Sequence, residues 1–168
     1  MWARPANLGL RLDIDEHSYL RSGNLIYQVI YSSQATKRMS LSDLEAILAD
    51  ARAGNEKRNV TGALLYVDGV FLQILEGDKD TVLNLIRSIK LDSRHSLLKV
   101  FHEAEIDART FAGWRMAFLD ATPEQMAEWA GLEGAASIES ILEDIKRDPQ
   151  RASQVAGKIL LAIAPEDT

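Results

Sequence analysis

A phenol and two carboxamides are the chemically distinctive side chains between Leu25 and Glu76. They are Tyr31 in LIYQVIYSS, Asn55 closing LSDLEAILADARAGN, and Gln73 in VFLQILEG. Each sits in a segment that is otherwise apolar or tightly punctuated. A polar side chain in a half-buried strand needs a partner, because an unpaired buried amide or hydroxyl costs about 1–3 kcal/mol. The chemistry open to such a trio is hydrogen bonding, with each carboxamide presenting a donor and an acceptor side by side. Taken singly the residues are ordinary: a core tyrosine, an edge-strand glutamine, and an asparagine that stops a helix.

Other chemistries recede on composition. The chain has no cysteine, which excludes disulfides, thiolate zinc sites and thiol nucleophiles, and is compatible with a reducing compartment. Its histidines, His17, His95 and His102, are scattered, which argues against a histidine metal cluster. No dinucleotide fingerprint, Walker loop or nucleophile-triad motif occurs. With 19 basic against 25 acidic residues the net charge is -6, the wrong sign for a general nucleic-acid binder. No apolar run approaches the roughly 20 residues of a membrane span, and the first residues lack the apolar core of a signal peptide. The expectation is a cytoplasmic protein that binds neither nucleic acid nor membrane.

The elements that must position the trio are legible in order. Residues 1–24 mix Pro5, Gly9, Gly23 and acids without a sustained period and read as an arm or linker, or as cloning-derived sequence. Leu25 to Ser33 reads as a buried strand. Ser40 opens a helix with Asp43 in the capping-box position, and Gly54 with Asn55 supplies its stop. Val60 to Gly77 is a hairpin about Asp68-Gly69, whose register sets Tyr66 opposite Phe71 and Leu64 opposite Gln73. One face then carries Gly62, Leu64, Tyr66, Phe71, Gln73 and Leu75, the other Ala63, Leu65, Val67, Leu72 and Ile74. Both faces are apolar, so both must be covered.

A second helix spans Asp78 to Leu91, DSRHS forms a polar turn, and Leu98 to Ile106 is a further strand. A last strand is expected in FAGWRMAFL, with Trp114, Met116 and Phe118 alternating against Arg115 and Ala117. The order β-α-β-β-α-β-β predicts an α+β, ferredoxin-like sheet with two helices on one face. The amphipathic helices after Thr122 cap the other. The domain boundaries expected are 1–24 for the arm, 25–120 for the core and 121–168 for the helical cap. An RNA-recognition sheet would need an open aromatic face, whereas Leu65, Leu72 and Ile74 await helix cover.

In this arrangement the motifs resemble the BLUF family, blue-light sensors that use FAD. The resemblance runs from about Leu25 to Phe118 and is carried by Tyr31 in IYSS, Asn55, TGALLY, FLQILEG, the RHS turn and W-R-M. It implies a flavin held non-covalently between the two helices, on the sheet face of Tyr31 and Gln73. Ile47 and Ile89 match the positions flanking the ring, Asn55 the residue bonded to its edge, and Arg94 and His95 positions near the ribityl and phosphate end. It further implies that light drives electron and proton transfer from Tyr31 and rearrangement of Gln73, with a red-shifted absorption and recovery in darkness. Met116 is the expected relay and Trp114 its competitor, two apart on one strand face. The output expected is a partner protein of unknown identity, self-association being left open, and no enzymatic activity. The alternative is a light-independent flavoprotein or flavin-dependent enzyme.

Overall fold

Asp68 and Gly69 both adopt positive φ, 49° and 78°, which is the primed turn that matches the twist of the strands it joins. From it run β2, Thr61–Val67, and β3, Val70–Gly77, paired as the sequence predicts: Tyr66 opposite Phe71, Leu64 opposite Gln73. The structure is a computed structural model and describes residues 25–133 and 137–163; the expected arm at 1–24 lies outside the described residues. Gly62 in TGALLY is demanded by this hairpin. A Cβ there would lie 1.9 Å from the Ile74 carbonyl oxygen.

Around the hairpin the described elements follow the expected order. They are β1, Ile26–Ala35; α1, Leu41–Arg58; α2, Lys79–Lys90; β4, His95–Ile106; and β5, Ala117–Asp120. The sheet order is β4-β1-β3-β2-β5, with β5 added parallel to β2. Three helices follow: α3, Pro123–Trp129; α4, Ile138–Arg147; and α5, Pro149–Ile163. This is the ferredoxin-like α+β arrangement with one added strand.

The two sheet faces feed separate apolar layers, as alternation requires. Leu64, Phe71 and Leu75 pack with Leu44, Ile47 and Leu48 of α1 and with Val82 and Ile86 of α2. Ala63, Leu65, Leu72 and Ile74 pack instead with Met126, Ile141, Ile145, Val155 and Ile159 of the C-terminal helices. The helices after Thr122 therefore cap the second face.

Two sequence expectations fail. Helix α1 does not stop at Gly54 and Asn55 but continues to Arg58, where Asn59 takes the left-handed cap at φ 54°. One interior glycine costs a helix only about 1 kcal/mol. Continuing the helix also carries the Asn55 side chain inward, and Asn55 is buried. The second failure is the last strand, which begins only at Ala117. The residues before it are claimed by other bonds: the Thr110 and Phe111 N–H groups donate to the Glu76 carboxylate, and the Trp114 N–H donates to the Phe111 carbonyl at 2.9 Å. Trp114 and Met116 consequently do not share a strand face. Met116 is buried in the layer of α1 and α2, whereas Trp114 packs against the layer of the C-terminal helices.

Candidate functional site

Tyr31 on β1 and Gln73 on β3 are direct cross-strand neighbours, so the pairing of two central strands places phenol beside carboxamide. The Tyr31 hydroxyl donates to Gln73 Oε1. Gln73 Nε2 in turn points at Met116 Sδ, 3.7 Å away. In this orientation the Gln73 carbonyl meets the hydroxyl proton and its NH2 group meets the weakly accepting sulfur. Tyr31 is fully buried, and burial pushes its phenol pKa well up, so the group is a neutral phenol at physiological pH.

Of these three residues Gln73 lines a cleft between α1 and α2 that is open to solvent. Ile47, Ala51, Leu85 and Ile89 give it aliphatic walls, and Asn55, Gln73, Arg94 and His95 contribute polar groups. Apolar walls with few convergent polar groups suit a flat aromatic ligand. The long α1 presents Asn55 here from its last turns. Asn55 Nδ2 donates to the Arg115 carbonyl at 2.7 Å, and Arg52, one turn earlier, donates from Nε to the Met116 carbonyl at 3.0 Å. The helix thus grips the backbone of the segment that brings Met116 to Gln73.

The mouth of the cleft is charged. Arg94 binds Asp92 through Nε and through an Nη2 contact of 2.6 Å, and reaches Asp50 at 3.0 Å. The Arg94 guanidinium holds the Asp92 carboxyl below its usual range, and Asp92 in return raises the pKa of Arg94. His95 Nδ1 lies 2.9 Å from Ser33 Oγ, and its ring tilts against Phe71 at 4.8 Å between centroids. Burial lowers the His95 pKa, which favours the neutral imidazole.

The cleft therefore brings together Tyr31 beneath Gln73, with Ile47, Asn55, Ile89, Arg94 and His95 around it, and Met116 beside Gln73. Trp114 is not among them. Asp50 and Asp92, the ion-pair partners of Arg94, were not singled out from sequence, and neither were Ser33, Arg52 and Leu64. Arg52 lies three residues before Asn55, a helical spacing that could have placed both on one face.

Fold and site define an α+β domain with a cleft between two helices, beside a buried hydrogen-bonded tyrosine–glutamine pair. The family of sensors of blue light using FAD matches residues 26–117, and the chain belongs to it. FAD is the family's cofactor, and the protein is a blue-light sensor. Among its relatives, the photoactivated adenylate cyclase subunit beta of Euglena longa is 42% identical over 108 residues, which are 64% of this chain and 12% of that protein. The match thus spans about an eighth of that relative. The ground-state structure of BlsA superposes with a TM-score of 0.67 at 26% identity, covering 85% of this chain and 91% of BlsA. A bacterial light-regulated adenylyl cyclase superposes at 0.57 with 26% identity, over 85% of this chain and 41% of the cyclase. No described helix here is long and apolar enough to cross a membrane.

Proposed function

We propose that Tyr31, Gln73 and Met116 form the light-switched chain of this sensor, with Ile47, Asn55, Ile89, Arg94 and His95 holding the cofactor above it. The observation that carries this is the buried run from the Tyr31 hydroxyl through the Gln73 amide to the Met116 sulfur at the base of the cleft. FAD bound in the cleft supplies blue-light absorption and, once excited, an acceptor for one electron.

The chain's own residues do the rest. Loss of an electron from the Tyr31 phenol would make its hydroxyl a strong acid, and the proton would pass along the bond to Gln73 Oε1; return of electron and proton to Tyr31 would close the step with no net oxidation. Gln73 is held on its other side only by a thioether, a weak acceptor, so its amide is free to rearrange. Ile47 and Ile89 wall the cofactor, and Asn55 bonds its polar edge while gripping the Arg115 carbonyl. Met116, buried beside Gln73, carries the rearrangement into the 111–116 segment and through β5 to the C-terminal helices.

The chain acts as a cytoplasmic, non-enzymatic sensor read by a separate output protein, with self-association as a second mode of assembly. The test is optical. The purified protein with FAD is expected to be yellow, to shift its blue band slightly red under blue light, and to return in darkness. A band that does not move under illumination overturns the proposal.

A further inference from the structure

Glu76 closes β3 on the face of the C-terminal helices, with its side chain wholly removed from solvent. Its Oε1 accepts from Gln28 Nε2 at 3.0 Å and from the Thr110 backbone N–H at 2.7 Å. Its Oε2 accepts from Thr61 Oγ1 at 3.1 Å and from the Phe111 backbone N–H at 3.0 Å. Each oxygen thus takes one side-chain donor and one backbone donor. Arg109 closes the same junction from outside, donating to Thr61 Oγ1, to the Glu76 carbonyl and to the Asn59 carbonyl.

The two backbone donors stand just ahead of the segment that brings Met116 to Gln73. Phe111 accepts from the Trp114 N–H, Trp114 accepts from the Gly62 N–H, and the next two carbonyls, of Arg115 and Met116, are the ones gripped by Asn55 and Arg52. We infer that Glu76 is a positioning residue of the photosensor: it anchors the 110–116 segment and thereby sets how Met116 meets Gln73. This rests on the proposed role of Met116 beside Gln73. Glu76 touches neither residue. It acts through the backbone.

The chemistry makes the anchor specific to a carboxylate. In Glu76→Gln one oxygen becomes an NH2 group. The side-chain partner on that side can adapt, Gln28 by turning its amide and Thr61 by turning its hydroxyl. The backbone N–H on that side cannot, and it is left facing another donor. The substitution therefore frees one end of the segment while nearly preserving volume.

Glu76→Gln, loaded with FAD, is expected to change the rate of dark recovery about tenfold or more and to move the dark absorption band. The control is Ile159→Val, a trimming of the far layer, with Tm recorded for both. Recovery and band position equal to the parent's, or changed no more than in the control, overturn the inference. If Glu76→Gln does not hold FAD, the parent protein decides. Its Thr110 and Phe111 amides must resist hydrogen exchange in darkness as core amides do, and free exchange at both overturns the anchor. That measurement does not depend on Gln73 being the switch. A photocycle surviving in Gln73→Leu alongside protected Thr110 and Phe111 amides would refute the site reading and leave the anchor standing.

Discussion

The Tyr31–Gln73 bond can be isolated by a double-mutant cycle. Tyr31→Phe keeps the ring but removes the donor, leaving Gln73 Oε1 unpaired at a site only 6% exposed. Gln73→Leu removes the acceptor and leaves a hydroxyl unpaired at a residue with 0% exposure. A buried group deprived of its partner costs about 1–3 kcal/mol, whereas replacing both partners by apolar groups of similar shape is close to neutral. The coupling energy expected from the cycle is therefore the sum of the two single losses, about 2–6 kcal/mol.

In a protein of this size 1 kcal/mol moves Tm by about 2–4 °C, so each single variant should melt roughly 2–12 °C lower. The double variant should fall well short of the sum. All four proteins must be measured at one FAD concentration, because ligand binding itself raises apparent stability. Absorption under blue light is recorded on the same samples, and both single variants should retain the yellow cofactor without a productive red shift. Stability losses that add to within about 0.5 kcal/mol in the double variant would show that the bond does not couple the residues. A normal red shift in Tyr31→Phe would remove the phenol from the photochemistry.

Asn55→Ala should weaken FAD binding about tenfold, the worth of roughly 1.4 kcal/mol of lost hydrogen bonding, and equilibrium titration of the apoprotein checks it. Met116→Ala should lose about 2–5 kcal/mol of stability by truncating a side chain only 1% exposed. It should keep the red shift while reducing light-dependent hydrogen exchange in α3 to α5, and a tail that responds as fully as the parent's would exclude the relay. His95 is expected to make stability fall with acidification. Its folded pKa lies below the unfolded value of 6.5, so the unfolded state takes up the proton first and stability declines below about pH 6.5, levelling off once the folded pKa is passed. His95→Gln should flatten this part of the Tm–pH curve, leaving the share of His102, whose pKa burial also lowers.

The parts legible from sequence are those fixed by local chemistry and alternation. Asp68-Gly69 demands a primed turn, the turn dictates the pairing, and the pairing assigns Gln73 and Leu65 to opposite layers. The capping box at Ser40 is equally local, and Asp43 reaches the Ser40 N–H at 2.8 Å despite its shorter side chain. What was not legible depends on competition between distant groups. Gly54-Asn55 has the composition of a helix stop, yet the helix runs on to a left-handed cap at Asn59, five residues beyond Gly54, and the Asn55 side chain bonds the distant Arg115 carbonyl. FAGWRMAFL has the alternation of a strand, but a strand needs an available neighbour. The Thr110 and Phe111 amides are already taken by Glu76, a residue 34 and 35 positions earlier in the chain.

Those failures meet at one place, and they change how the signal path is understood. A regular strand carrying Trp114 and Met116 on one face would exchange them by sliding. In the observed arrangement the two side chains already occupy different layers, Met116 with α1 and α2, Trp114 with the C-terminal helices. The backbone between them is held by Asn55 and Arg52 from α1, and the segment leading into it by Glu76 from β3. A change at Gln73 that shifts Met116 must therefore strain those bonds or move the segment as a unit. Either movement reaches β5 and the layer containing Trp114 at once. The short irregular segment is a better coupler for this reason: a continuous ladder would resist displacement along its whole length, whereas here a few identifiable hydrogen bonds set the resistance.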